Sequence, residues 1–356
     1  MTARSILVTV FAKAAWGGLH ENVLDESISL LRAGFRVTVA CSESRLAKRL
    51  RLIGCRVVGI DWDYPEESFV RVMNSGPYSI VHAHPFLSRE LGIRVAKASE
   101  IPIFVTMHGN YLDYANSWGD QVDHIVCVSE AHRDQLLSKV PGLPPWNVSV
   151  ISNGISDDKF DSRLVPLQEK LQAGEVEIVV ASRLDGDKGP IIETVLDVVN
   201  EVGVNMPALQ TKVTVVGEGA ASAKFRDQFA SSGVDVDFLG WRVSERIGPL
   251  LRQAALSIAP GRAAAQSLAV GTPTVAVGSQ GLAGLQTGVN LQKGWWSNFG
   301  GYPVSAKLIG NEVTRILTDP DRYARTQVEG REFMRSRARQ SLVDSKFLST
   351  VSAILK

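Results

Sequence analysis

The sequence predicts an α/β protein of two domains, and three observations lead there. At 356 residues the chain is longer than one ordinary α/β core organises. Short β-rich runs alternate with amphipathic helical stretches, and they do so twice over. The strand candidates are continuously apolar rather than alternating, which is the pattern of parallel sheets covered on both faces by helices.

In the first half the strands are read at Ile6–Phe11, Arg36–Cys41, Arg56–Ile60, Ser79–Ala83, Ile103–Met107 and His124–Val128. Between the first two, Val23, Leu24, Ser27, Ile28 and Leu31 recur at helical spacing, and Gly34 follows as a C-terminal stop. In the second half the strands are Glu177–Ala181, Lys212–Val216, Val234–Leu239, Ala255–Ala259 and Thr274–Val277. Ile191, Ile192, Val195, Val198, Val199 and Val202 form one apolar helical stripe after the first of these. The expected division is an N-terminal Rossmann-like domain over 1–153, a C-terminal one over 154–339, and a last helix over 340–356 packing back on the first. The break falls near Pro141–Pro145 or at Asn153-Gly154-Ile155, and the polar stretch Asp161 to Gly174 suits a connector. The two domains are expected to face each other across a cleft that holds the active site.

Composition narrows the function. Lys and Arg number 38 against 37 Asp and Glu, so nothing favours a nucleic acid as partner. Cys41, Cys55 and Cys127 are odd in number and lack the clustered spacing of a zinc site, which fits buried thiols in a reducing cytoplasm. The apolar run after Arg4, ending in Ala12-Lys13-Ala14, resembles a short secretory signal. The lysine and the following glycines fit a buried first strand better. No apolar stretch reaches the ~20 residues a spanning helix requires, so a cytoplasmic location is expected. Arg45, Lys48, Arg49 and Arg51 lie among Leu46, Leu50, Leu52 and Ile53, which allows at most a weak peripheral membrane contact.

Candidate site residues collect where strands end, the place where parallel sheets bind ligands. Arg183 and Lys188 follow the strand Glu177–Ala181 and precede a helix, where two cations can grip a diphosphate. Gly217-Glu218-Gly219 follows the next strand, and its glycines allow close backbone approach to a ligand. A nicotinamide fingerprint would need Ser222 and Asp237 to serve, but Asp237 falls inside the following strand. Phe238 to Arg242 offers main chain and the Trp241 ring to a nucleobase. Gly261 opens a helix whose amides suit an anion, with Arg262 and Gln266 four apart on one face.

In the first half, Gly17 and Gly18 sit between the first strand and helix. His108-Gly109-Asn110 follows the fifth strand, and Tyr111, Asp113, Tyr114 and Trp118 form an aromatic, polar loop suited to a sugar. His82 and His84 share a face at a strand end. With His108 they imitate a metal triad, but no carboxylate has matching spacing, so no metal is expected.

Taken in order, Arg183-Leu184 … Lys188-Gly189, Val216-Gly217-Glu218-Gly219, Phe238-Leu239-Gly240 and Gly271-Thr272-Pro273 resemble the C-terminal half of retaining GT-B glycosyltransferases. Gly17-Gly18, Thr106-Met107-His108-Gly109 and the hinge Asn153-Gly154-Ile155 … Phe160 extend the resemblance over nearly the whole chain. It implies a nucleoside-diphosphate-sugar donor, a hydroxyl acceptor, retention of anomeric configuration, and no metal or other cofactor, as in cell-surface glycan or natural-product synthesis. Arg183 and Lys188 would hold the diphosphate, Phe238–Arg242 the base and His108 the donor sugar. Gly17 and Gly18 would lie over the phosphates or the acceptor.

The family places two glutamates around the helix before Gly271-Thr272-Pro273. Gln266 stands where the second, a ribose-binding carboxylate, is expected, and the first has no counterpart in Ala259 to Ala263. Loss of charge assistance at Gln266 costs roughly 1–2 kcal/mol, about tenfold in donor affinity. The alternatives are a pseudo-transferase that binds a sugar nucleotide without turnover and a sugar-nucleotide epimerase of the same architecture.

Overall fold

The computed structural model describes residues 4–12, 16–109, 111–301 and 309–356. Lys13, Ala14 and Asn110, named above, lie outside them. The chain divides into two compact units, residues 1–154 with 341–356, and residues 155–340.

The first unit is built on seven strands: β1 Ser5–Val10, β2 Arg36–Cys41, β3 Arg56–Gly59, β4 Ile80–Ala83, β5 Ile103–Met107, β6 His124–Cys127 and β7 Val148–Val150. All pair in parallel, in the order β3-β2-β1-β4-β5-β6-β7. Ser5–Val10, the run that resembled a signal, is buried at every position near the middle of that sheet. The helices are α1 Gly18–Arg32, α2 Arg45–Leu52, α3 Pro65–Met73, α4 Leu87–Ser99 and α5 Glu130–Lys139. Of the stripe its spacing announces, α1 buries Val23, Leu24 and Ser27, while Ile28 and Leu31 are half-buried and Leu30 is buried in addition. It ends where Gly34, at φ 85°, donates to Leu31 O and Phe35 to Leu30 O.

The second unit begins with the short helix α6 Leu167–Lys170. Its sheet holds β8 Glu175–Ala181, β9 Gln210–Val216, β10 Val236–Gly240, β11 Leu256–Ala259, β12 Thr274–Gly278 and β13 Gly281–Leu285. The order is β10-β9-β8-β11-β12-β13, parallel except for the hairpin of β12 and β13. Around it lie α7 Gly189–Asn205, α8 Ser222–Ser232, α9 Ser244–Gln253, α10 Gly261–Ala269, α11 Val289–Trp296, α12 Gly310–Leu317 and α13 Pro320–Ala338. α7 buries Ile191, Ile192, Val195, Val198 and Val202 in the core of this unit.

One expectation needs correction here. The stretch Asp161 to Gly174 is no loose connector. Val165, Leu167 and Lys170 are buried, Lys170 Nζ donates to Ala254 O at 2.6 Å, and Arg331 Nη1 reaches Ser162 O at 2.6 Å. The apolar side of α2 packs on its own domain. Leu46 and Leu50 are buried, Arg49 lies 5.4 Å over the Trp16 ring, Arg51 pairs with Glu43, and Leu52 is left exposed.

The final helix, α14 Gln340–Ile354, belongs over Ser341–Lys356 to the first unit, where Phe347 packs against His82 and Phe104. Cys41, Cys55 and Cys127 are buried free thiols, and burial pushes Cys55 up to about 11 and the other two to about 12. Among the described residues no helix is long and apolar enough to cross a membrane.

Candidate active site

Both sheets reverse direction once, between β1 and β4 and between β8 and β11. At such a switch point the loops leaving the two strands part to opposite faces, which opens a crevice at their carboxyl ends. In the second unit those loops carry Arg183 and Lys188 on one side and the start of α10 on the other. In the first they carry Gly17 and Gly18 after β1 and His84 after β4.

The loops after β8, β9 and β10 are joined to one another. Ser182 N–H donates to Val216 O at 3.1 Å, Leu184 N–H to Glu218 O at 3.1 Å, and Ala221 N–H to Leu184 O at 2.8 Å. Gly217, at φ 145°, could take no side chain, because a Cβ there would stand 1.8 Å from Ser182 O. A Cβ on Gly219 would stand 2.4 Å from Leu184 C and O. The neighbouring loop therefore requires glycine at both positions, independently of any ligand. Ser222 serves locally, its hydroxyl bridging Gly219 N and O, and Asp237 lies inside β10. Glu218 is exposed, and its carboxylate accepts from Trp241 N–H at 3.1 Å.

Arg183 is exposed and pairs with Asp185 at 3.0 Å. Lys188 is 7 % exposed, and its Nζ lies 2.7 Å from Asp187 Oδ2. Burial raises the Asp187 pKa, but the hydrogen bond and charge of Lys188 outweigh it, and the net shift is downward. Each cation thus has its own carboxylate partner on the same loop. Trp241 is half-buried and outside the hydrophobic core, with its carbonyl accepting from Arg242 Nη1 at 3.1 Å.

α10 starts without a side-chain cap, and Gly261 adopts φ 54°. Its N–H donates to Phe299 O at 3.4 Å. Arg262 and Gln266 are half-buried one turn apart on this helix. At the other end Gln327 donates to Gly271 O and Arg331 to Val270 O, both at 2.8 Å, which satisfies the final carbonyls.

In the first unit Trp16 folds over the start of α1, donating Nε1 to Glu21 at 2.7 Å and stacking on His20. A Cβ on Gly18 would meet nothing within 4 Å, so no packing demands glycine there and the space beside it is open. His108, just after β5, holds its Nε2 2.7 Å from His84 Nδ1, and the two rings stack at 4.9 Å. Burial, followed by the charges of His132 and His20, brings the His108 pKa down to about 3. It is therefore a neutral imidazole near neutral pH, suited to hydrogen bonding rather than to supplying charge.

The aromatic loop behind His108 is less available than its composition suggests. Trp118 is buried, donates Nε1 to Asp113 O at 2.6 Å and lies under the Arg89 guanidinium at 4.9 Å. Asp113 accepts from Arg89 Nε at 2.8 Å and Phe86 N at 2.9 Å, so it braces α4. Tyr111 stays beside His108, and Tyr114 is 79 % exposed. Sequence reasoning missed Arg89, whose only signal was an isolated charge on an otherwise buried helical face. It missed Glu26 as well: α1 carries this carboxylate to 3.8 Å from His82 Nδ1, although 56 residues of chain separate them.

Comparison with known proteins gives the same architecture. Residues 16–159 match the family model described as Glycosyltransferase Family 4. No curated sequence matches the chain. A glycosyltransferase from Rickettsia africae superposes with TM-score 0.75 at 17% identity, covering 100% of both chains. HepE of Anabaena, solved with UDP-glucose, gives 0.74 at 15% identity over 98% of this chain and 99% of its own. Sucrose-phosphate synthase of Thermosynechococcus elongatus gives 0.69 at 16% identity, covering 99% of each. The chain has the fold of GT-B glycosyltransferases, and the resemblance read from its motifs is met by a family segment in the first unit and by the architecture of both.

Proposed function

We propose that this chain transfers a sugar from a nucleoside diphosphate to a hydroxyl acceptor, with retention at the anomeric carbon and no metal ion at the diphosphate. The observation that carries this reading is the placement of Arg183 and Lys188 beside the β8–β11 switch point. Strand order, loop direction and charge there all suit a diphosphate. The family match over 16–159 and the UDP-glucose found with HepE favour a sugar nucleotide as the ligand.

In this reading the diphosphate displaces Asp185 and Asp187 as partner of the two cations. Arg183 and Lys188 then stabilise the negative charge that grows on the leaving phosphate as the glycosidic bond breaks. The leaving phosphate itself accepts the acceptor's proton. Trp241 and the main chain beside it receive the base, and Gln266 meets the ribose. His108, with Nε2 tied to His84, offers Nδ1 to a hydroxyl of the donor sugar. The buried free thiols fit work in the cytoplasm, and the outer charges of α2 fit at most a weak approach to anionic lipid.

A panel of nucleoside diphosphates and their sugars tests the proposal by thermal shift, because a ligand bound only by the native state raises the unfolding midpoint. The ligand with the largest shift is then incubated with hydroxyl acceptors, and the anomeric configuration is read by proton NMR. A sugar nucleotide that stabilises the protein and yields a retained glycoside is the expected result. No shift from any diphosphate, or conversion of the sugar without an acceptor, would overturn it.

A further inference from the structure

At the first unit's switch point, three side chains to which the transfer reading gives no contact with donor or acceptor converge. Glu26 comes from α1, His82 from β4 and His84 from the residue after it, and one ligating atom of each lies within 4.8 Å of the others. Neither histidine has any solvent exposure. His82 Nδ1 and His84 Nε2 are buried without a hydrogen-bond partner. Leaving buried polar atoms unsatisfied is costly, and two of them beside one carboxylate call for a common ligand.

The opposite nitrogen of each ring is already tied. His82 Nε2 lies 2.8 Å from Thr106 Oγ1, and His84 Nδ1 lies 2.7 Å from His108 Nε2. This is how metal-bound histidines are held: one nitrogen binds the ion, and the other is fixed by a hydrogen bond that sets tautomer and ring angle. Glu26 is oriented in the same manner. With its amide turned to donate, Asn22 lies 3.1 and 3.2 Å from the two Glu26 oxygens. The 3.8 Å between Glu26 Oε2 and His82 Nδ1 is too long for a hydrogen bond. It is close to the roughly 3.3–3.6 Å that separates ligands around a tetrahedral ion bound at ~2.0–2.2 Å.

We propose that Glu26, His82 and His84 bind a divalent ion of the zinc class. Two imidazoles and one carboxylate favour Zn²⁺ and its neighbours over Mg²⁺ or Ca²⁺, which prefer all-oxygen sites. The ion has a positioning role. Bound at His84 Nε2, it leaves the imidazole proton on Nδ1, which donates to His108 Nε2. His108 must then carry its own proton on Nδ1 and present a donor outward.

Tag-free protein, stripped with a chelator and dialysed against Zn²⁺ or Co²⁺, provides the test. One equivalent of metal by mass spectrometry is expected, with tetrahedral-type Co²⁺ absorption and a Zn²⁺-dependent rise in Tm. Glu26→Gln keeps the shape of the side chain and its contact with Asn22, and circular dichroism checks its fold. That variant is expected to bind Zn²⁺ at least tenfold more weakly. Absence of stoichiometric metal in the wild type would overturn the proposal, since a buried water would then satisfy the ring nitrogens. Equal affinity in folded Glu26→Gln would overturn it too, by placing the metal elsewhere.

Discussion

The Glu218 carboxylate accepts a hydrogen bond from the Trp241 main-chain N–H at 3.1 Å, which ties the loop after β9 to the loop after β10. Gly240 between them adopts φ 68°, and a Cβ there would come within 2.8 Å of Glu218 Oε1. Glu218 therefore shapes the proposed base-binding segment. Glu218→Ala is expected to weaken binding of the bare nucleoside diphosphate by roughly tenfold, the scale of one charge-assisted hydrogen bond. Calorimetric titration checks this, and unchanged affinity would separate the Trp241 segment from the nucleotide.

The glycines of the two units make opposite predictions. Gly217→Ala forces a Cβ against Ser182 O at a φ of 145°, where the contacted atom is backbone and cannot yield cheaply. A loss of roughly 2–4 kcal/mol in stability is expected from the clash and the strain together. Gly18→Ala meets open space and is expected to change stability by less than about 0.5 kcal/mol while lowering transfer. Urea unfolding beside activity assays checks both. A strongly destabilised Gly18→Ala would make that residue a packing glycine.

Lys170 predicts a pH dependence. Burial, followed by the charge of Arg331, lowers its pKa to about 7 in the folded protein. The unfolded chain holds that proton up to about 10.4, so between pH 7 and 10 the unfolded state binds more protons. Stability from this group therefore rises with pH across that window, by up to about 1.4 kcal/mol per unit. The buried thiols oppose it above their unfolded value, so wild type is compared with Lys170→Met at pH 7, 8 and 9. The wild type should gain on the variant as pH rises. A constant difference would show Lys170 to stay charged.

The strand positions were largely legible because β1, β2, β5, β8 and β12 carry apolar runs that suit a covered parallel sheet. β7 and β13 were not. Val148–Val150 is three residues long, and Gly281–Leu285 carries two glycines that dilute any pattern. At the candidate site, Arg183, Lys188 and His108 announced themselves as charged or titratable groups directly after strands. Gly217 and Gly219 signalled a close backbone approach, and the approach the structure shows is that of the neighbouring loop, which a glycine signal cannot tell from that of a ligand. Glu26 was hidden because a carboxylate on an amphipathic helix reads as solvated until the fold sets it beside His82.

Gln266 is where the chain departs from the family it resembles. Gln266→Glu restores a charged acceptor for ribose hydroxyls, with Arg262 one turn earlier to steady it, and is expected to tighten donor binding several-fold. Titration of both proteins with the same nucleoside diphosphate decides this. Unchanged affinity would turn Gln266 away from the ribose.

The central claim is that Arg183 and Lys188 stabilise a leaving diphosphate. Single-turnover transfer rates of Arg183→Ala and Lys188→Ala, measured at saturating donor, test it most directly. Each rate is expected to fall by roughly 10²-fold or more, the scale of lost transition-state charge stabilisation. Near-native rates in both variants would contradict the account.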